Sequence, residues 1–368
     1  MGFNYRYRYR YDYQRLPLTR LMLLQLVLTI IIFSYSCNAF VPTVVLPPAI
    51  TTNARTTNGA ALILITKMSS SNDNEDDTDT STRNVFAKKG GARGRILILG
   101  GSGFLGESIA SRAIREGYAV TSISRRGKPP EGNSICDKID YRIGDARDLK
   151  TIEKVLNEGD GDRDGDGDDT STRGNGEPFV AVVHCIGLLF DADSRLGRFN
   201  RFASGSGSRP EDSSSTYDEI SRLTAFHAIS ATETYAKKDG RRIPFIFTSA
   251  AEAGWSEVRG GSFVERRLAP NWLRRYLAAK RKVESRLLEY QTVELLRPVI
   301  FRPSLIYSLD RVLSLPPVGA FYVGNRLGLP FVDRPVTVQA LSTAAVRAIG
   351  NPGVEGVQRF SEIDELSK

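Results

Sequence analysis

Tyr276 and Lys280 stand one helical turn apart in the stretch YLAAK, so their side chains share one face of a helix predicted over Trp272 to Tyr290. An ammonium beside a phenol favours the phenolate. It is expected to lower the Tyr276 pKa toward neutrality, so that the hydroxyl can pass a proton to or from a carbonyl. The chain holds 14 tyrosines and 50 basic residues, so this spacing also arises by chance and gains meaning only from its position. Upstream, Gly100-Gly101-Ser102-Gly103-Phe104-Leu105-Gly106 supplies a second chemistry. Gly100 allows a sharp turn, Gly103 lets backbone approach a pyrophosphate, and Gly106 lets a helix pack close to its strand. The pyrophosphate would rest on N–H groups at the positive end of that helix.

These residues need a frame. RILILG, ending at Gly100, is a short apolar run, as expected for a strand buried on both faces. A helical pattern follows through Ile109, Ala113 and Ile114, and Gly117 can end it. Five further strands are predicted: Ala119 to Ser124, one ending at Asp145, Phe179 to Gly187, Pro244 to Ser249, and one within Val293 to Arg302. Helical patterns at Leu149 to Leu156, Tyr217 to Ala236 and Trp272 to Tyr290 separate them. Strict alternation predicts an α/β fold with a doubly wound parallel sheet, a Rossmann domain, and a small C-terminal lobe from Arg302 onward. The second strand ends in Ser124-Arg125-Arg126 rather than in an acid. A carboxylate there would hold the ribose hydroxyls of NAD(H) and repel a 2′-phosphate, whereas a guanidinium can grip one, so NADP(H) is expected over NAD(H). The alternative is that both arginines are solvated loop charges.

GGSGFLG at 100–106, GDARD at 144–148, FTSAAEAG at 247–254, YLAAKRKVE at 276–284 and RPSLIY at 302–307 together resemble the atypical and extended short-chain dehydrogenase/reductases. Within them the chain looks most like the group that contains the Rossmann-fold accessory subunit of respiratory complex I and proteins linked to quinone biosynthesis. The resemblance implies that Tyr276 and Lys280 are catalytic and that Lys280 also reaches the nicotinamide ribose. It implies that Asp145 contacts the adenine amino group, and that Phe104, Leu105, Ala146, Cys185 and Gly187 line the cofactor with the glycines and Ser124. Two positions depart from the pattern. Ala250 stands where the last hydroxyl of the run after the fifth strand is expected, which removes an oxyanion donor. Ser249 is the candidate substitute, although an adjacent strand residue points the other way. Ser304 replaces a glycine.

Composition adds limits. At 41% hydrophobic and 25% charged the chain is of ordinary globular type. Much of its +8 net charge sits in Arg6, Arg8, Arg10, Arg15 and Arg20, so no nucleic-acid surface is expected. Residues 1–39 read as a signal peptide built on the apolar run Leu21 to Phe33, with an uncut signal anchor as the alternative. Residues 40–90 read as a transit-like segment and polar linker, giving a plastid destination or, alternatively, a mitochondrion. The Rossmann domain is expected over 91–301, with insertions near 159–176 and 191–215, and the lobe over 302–368. Asp160 to Ser171 begins like a calcium loop but lacks the closing glutamate. His184 and His227 lack metal-ligand spacing. Leu313 to Phe331 is an apolar stretch that would line a lipophilic cleft, touch a membrane surface, or simply pack the lobe. Two functions follow: an NADP(H)-dependent oxidoreductase on a lipophilic carbonyl or quinone-type compound, or a cofactor-binding scaffold or assembly factor of an organelle membrane complex.

Overall fold

The computed structural model describes residues 93–127, 136–158, 177–197, 200, 214–310, 315–328 and 331–368. The leader, the linker and the calcium-like segment lie outside them. Five strands alternate with helices in the first part: β1 Arg95–Leu99, α1 Phe104–Arg115, β2 Ala119–Ser124, β3 Ile139–Ile143, α2 Leu149–Asn157, β4 Phe179–His184, α3 Thr224–Asp239 and β5 Ile243–Thr248. Then come α4 Gly261–Arg267, α5 Asn271–Leu287, α6 Tyr290–Leu295 and β6 Leu296–Phe301. The last part holds β7 Ile306–Tyr307, α7 Leu315–Arg326, β8 Val336–Thr337, α8 Val338–Gly350, β9 Gly356–Gln358 and α9 Phe360–Ser367. The main sheet runs β3-β2-β1-β4-β5-β6-β9, every pair parallel, which is the doubly wound order with one strand added.

β1 and β6 are buried along their whole length because helices cover both faces. One face packs Ile96, Ile98 and Val299 against α1 and α8. The other packs Leu97, Phe245 and Phe247 against α2, α3 and α5. Asp148 caps α2 by accepting from the Lys150 N–H at 3.1 Å, so GDARD carries a helix start as well as Asp145.

The C-terminal boundary expected at Arg302 is corrected. β9 joins the main sheet beside β6, and α8 packs on α1. Hence residues from Val338 onward, after β8, complete the Rossmann layer rather than form a lobe. What projects is a shorter piece, with α7 and the two-stranded β7–β8 sheet. The helix expected from Tyr217 to Ala236 begins instead as a π-helix, Asp218–Leu223, where the Thr224 hydroxyl donates to the Ile220 carbonyl at 2.6 Å. The apolar stretch Leu313 to Phe331 divides. Phe321 and Phe331 pack against the cluster that holds Tyr276, while Tyr322, Val323 and Leu327 are exposed. Among the described residues no helix is long and apolar enough to cross a membrane.

Candidate functional site

Gly100 has φ +85°, and its N–H donates to the Ile123 carbonyl at 2.9 Å, so the turn leaves β1 tied to β2. A Cβ on Gly106 would lie 2.3 Å from the Gly100 carbonyl oxygen, and one on Gly101 2.4 Å from the Ser122 hydroxyl. Gly103 occupies the N-cap of α1, and no side chain caps that helix. The loop is thus a backbone cradle with N–H groups at its mouth, a shape that fits a dinucleotide pyrophosphate. Phe104 is half-buried and Leu105 buried beneath it.

At the end of β2 the Ser124 hydroxyl accepts from the Gly127 N–H at 3.1 Å, while Arg125 and Arg126 are exposed. Ala146 is buried beside them. The Asp145 carboxylate takes Arg147 Nε at 2.9 Å and Nη2 at 2.7 Å on one oxygen, and the Arg147 N–H at 2.9 Å on the other. Burial pushes this carboxyl up, but the Arg147 hydrogen bonds and the nearby Arg125 charge outweigh it, holding it below its ordinary value. An adenine amino group reaching Asp145 would therefore share a carboxylate already paired with Arg147.

β4 delivers His184, Cys185 and Gly187. His184 is buried, with Nε2 3.0 Å from the Thr224 hydroxyl. That hydroxyl's proton goes to Ile220, so Nε2 must donate. Burial, helped by the Lys280 charge, pushes the imidazole down to about 3, and burial pushes the Cys185 thiol up to about 12. Neither group titrates near neutrality. Among the described residues no cluster can hold a metal ion.

α5 brings Tyr276, Lys280 and Glu284 onto one face at successive turns. Lys280 is 4% exposed, and its ammonium donates to the Thr248 carbonyl at 2.7 Å. It lies 4.8 Å from the Phe247 ring centroid and 5.6 Å from that of Tyr276. A Cβ on Gly187 would stand 3.7 Å from its Nζ. Burial pulls Lys280 down to about 8 against the raising charge of Glu284. The Tyr276 ring meets Tyr217 edge-on at 5.6 Å, and Tyr217 donates to the Leu189 carbonyl at 2.6 Å.

The expectation that Lys280 depresses the Tyr276 pKa is corrected. Burial, joined by the charge of Glu252, holds this phenol above its ordinary value. The Ser249 hydroxyl is buried with no partner, and Ala250 is buried next to it. Around Tyr276 the wall is apolar: Trp255, Val264, Leu277, Phe321, Phe331 and Val332.

Sequence reasoning missed three features. Arg302 is a buried bolt that grips Glu284 through Nε at 2.9 Å and Nη2 at 2.7 Å, and Glu257 at 2.9 and 2.7 Å. Glu284 could have been found, since it lies eight residues beyond Tyr276 on the same helix face. Arg147 stands two residues from Asp145, but nothing in the spacing announces the pair. Glu252 gave one signal, a lone carboxylate in an otherwise small and apolar run; burial pushes it up to about 7.

Residues 96–162, from β1 through α2, match the family model described as NAD dependent epimerase/dehydratase. Over 303 residues the chain is 24% identical to MIOREX complex component 2 of Saccharomyces cerevisiae, covering 73% of this chain and 98% of that protein. It is 39% identical over 62 residues to an uncharacterized chloroplastic protein of Arabidopsis thaliana, covering 17% of this chain and 21% of that one. UDP-glucose 4-epimerase of Thermotoga maritima, solved with UDP-glucose, is similar with a TM-score of 0.47 at 17% identity, over 72% of this chain and 76% of that one. The sheet order and the glycine cradle make this a Rossmann-fold chain, and its residues 96–162 are similar to the NAD dependent epimerase/dehydratase family.

Proposed function

We propose that the protein is an NADP(H)-dependent oxidoreductase acting on a lipophilic carbonyl or quinone-type compound. The observation that carries this reading is the placement of Tyr276 and Lys280. Both stand on α5 beyond β5, with Lys280 held on the Thr248 carbonyl and Tyr276 set in an apolar wall. The bound nicotinamide supplies or takes up hydride. Tyr276 moves the proton at the substrate oxygen; among the described residues its hydroxyl has no hydrogen-bond partner. Lys280 orients the ribose side of the site and supplies positive charge there. Arg125 and Arg126, exposed at the end of β2, support a 2′-phosphate over a free hydroxyl. Three arginines of the C-terminal part are already neutralised: Arg302 by Glu257 and Glu284, Arg359 by Asp333, and Arg334 by Asp364. A substrate carrying a diphosphate would find no unpaired guanidinium among these three, which favours an uncharged lipophilic one.

Titrating NADPH and NADH into the purified protein, followed by nicotinamide fluorescence, tests the cofactor. Tight NADPH binding with weak NADH binding is expected; equal affinity would remove the assignment to Arg125 and Arg126. A second reading is a scaffold or assembly factor of an organelle complex that keeps its cofactor without turnover. Ala250 favours it, as does the relative named as a component of the MIOREX complex. It expects NADPH binding, no carbonyl reduction, and migration with a large assembly on native gels. For compartment we propose a plastid, reached through the N-terminal leader, in line with the chloroplastic relative, with a mitochondrion as the alternative.

A further inference from the structure

An amphipathic helix turns its apolar stripe to the core. α7 carries apolar residues on both sides. On the inner side Val318 is buried, Phe321 packs in the cluster that holds Tyr276, and Asn325 Nδ2 donates to the Val332 carbonyl at 2.9 Å. Gly319, Tyr322, Val323, Arg326 and Leu327 follow the i, i+3, i+4, i+7, i+8 spacing of a second stripe. This stripe faces out: Val323 is 59% exposed and Leu327 57%. The Leu327 N–H still donates to the Val323 carbonyl at 2.9 Å, so the helical face includes it. A helix apolar all round belongs under cover, yet among the described residues nothing covers this side.

Neighbouring segments extend the patch. The Tyr307 hydroxyl of β7 lies 3.5 Å from that of Tyr322, and Leu309, just beyond β7, is exposed. α4 packs Val264 into the same cluster as Phe321, and a Cβ on Gly260, at its start, would stand 3.8 Å from the Phe331 ring. Beside Val264, Phe263 is exposed. Among the described residues eight large hydrophobic side chains are exposed, and five of them are Phe263, Leu309, Tyr322, Val323 and Leu327. The exposed apolar surface is therefore gathered in one region rather than scattered singly.

Cations frame it. Arg259, Arg266 and Arg267 are exposed, and no acid pairs with them among the described residues. The acids beside them are engaged elsewhere, Glu257 by Arg302 at 2.9 Å and Glu265 by Arg281 at 2.8 Å. From Arg311 to Val332 the sequence holds no Asp or Glu. We propose that α7 and α4 dock this side of the protein onto an anionic lipid bilayer. The apolar side chains enter among the outer acyl chains, and the arginines meet lipid phosphates.

Other occupants fit less well. With 12 residues, α7 is about 18 Å long and about 10 Å wide, so its outer face offers on the order of 200 Å². Even doubled by α4, this falls short of the about 800 Å² that each partner buries in a stable protein pair. A second copy related by a twofold axis would set the same arginines against each other. A nucleic acid would meet the arginines but leave five apolar side chains in water. A bilayer satisfies both kinds of group at once. The docking does not depend on turnover at Tyr276. Phe321, on the inner side of α7, shares its cluster with Tyr276, so a compound dissolved in the bilayer meets the protein one helix away from that residue.

The test places the fluorescent amino acid Anap in the full chain, either at Val323 or at the exposed Lys237 on α3. Each protein is mixed with vesicles of phosphatidylcholine alone or with about 30% phosphatidylglycerol, their acyl chains brominated to quench a buried probe. With the anionic vesicles, emission at position 323 should shift to the blue and be quenched, while position 237 stays unchanged. Arg266→Glu combined with Arg267→Glu should weaken the binding read at 323 about tenfold or more. Leu327→Asp, also at an exposed position, should weaken it as well. Several results would each overturn the proposal. One is a chain that floats with vesicles while position 323 stays in water, held by the apolar run Leu21 to Phe33 instead. Others are an equal response to neutral vesicles, a response at 237 as strong as at 323, or binding unchanged in either variant. A blue shift without vesicles that grows with protein concentration would assign the face to a second copy. A response to an RNA oligonucleotide but to no vesicle would assign it to nucleic acid.

Discussion

The glycine turn and the surroundings of Tyr276 are built from different materials. The glycine turn, from Gly100 to Gly106, is backbone: one positive φ, two positions where a Cβ would collide, and a helix end that no side chain caps. The Tyr276 side is made of ionisable side chains. Lys280, Glu252, Glu284, Arg302 and His184 come from four separated segments; burial shifts Lys280, Glu252 and His184, and Arg302 is locked onto Glu284. A cradle defined by missing side chains is a local property of seven consecutive residues. A site defined by displaced pKa values depends on what covers it.

The sharpest way to break this comparison is Gly106→Val. Its Cβ would lie 2.3 Å from the Gly100 carbonyl, so dinucleotide binding should fall by more than about 100-fold, about 3 kcal/mol of clash and lost contacts. Fluorescence titration reads this, with circular dichroism confirming the fold. Unchanged affinity would show that the turn does not hold the cofactor. Tyr276→Phe acts on the other side. Turnover should drop by about 10²–10⁴-fold, the usual weight of a positioned acid, while NADPH affinity stays within about twofold.

Arg302→Met tests whether the buried bolt holds the Tyr276 side together. It strands the buried Glu284 carboxylate, and urea unfolding should show a loss of about 3–5 kcal/mol. Replacing Arg125 and Arg126 by Ala should weaken NADPH about tenfold or more and leave NADH unchanged, since only the 2′-phosphate contact is removed.

The smallest effect is in stability against pH. Burial raises the Glu252 pKa from 4.5 in the unfolded chain to about 7. Its contribution is therefore fully present below pH 4.5 and is lost as pH rises through about 7. Glu252→Gln should match the wild type near pH 4 and exceed it by about 1–2 kcal/mol at pH 8, the half-exposed position softening the full linkage value. Equal unfolding midpoints at pH 8 would mean that solvent already relieves the carboxylate.

Much of this was legible in the chain itself. The continuous apolar runs at Arg95 to Leu99 and Phe179 to His184 announced strands buried on both faces, and the alternation with helices fixed the sheet type. The glycine turn could be assigned residue by residue because each glycine answers a steric demand from close neighbours. The C-terminal boundary could not. β9 is three residues long, and only its pairing with β6 makes it part of the main sheet.

The tyrosine–lysine spacing placed both groups on one helix face, and α5 bears that out as geometry. Their charge states were a different matter. Sequence proximity suggested that Lys280 would lower the phenol's pKa, yet burial and Glu252 raise it, and Lys280 itself is drawn down to about 8. Periodicity and turn chemistry are short-range, so the amino-acid order determined the strands, the cradle and the helix face. Desolvation and the pairing of Arg302 with Glu284 and Glu257 depend on segments far apart along the chain. Only the tertiary structure decided them, because a charge's energy is fixed by the medium the fold wraps around it.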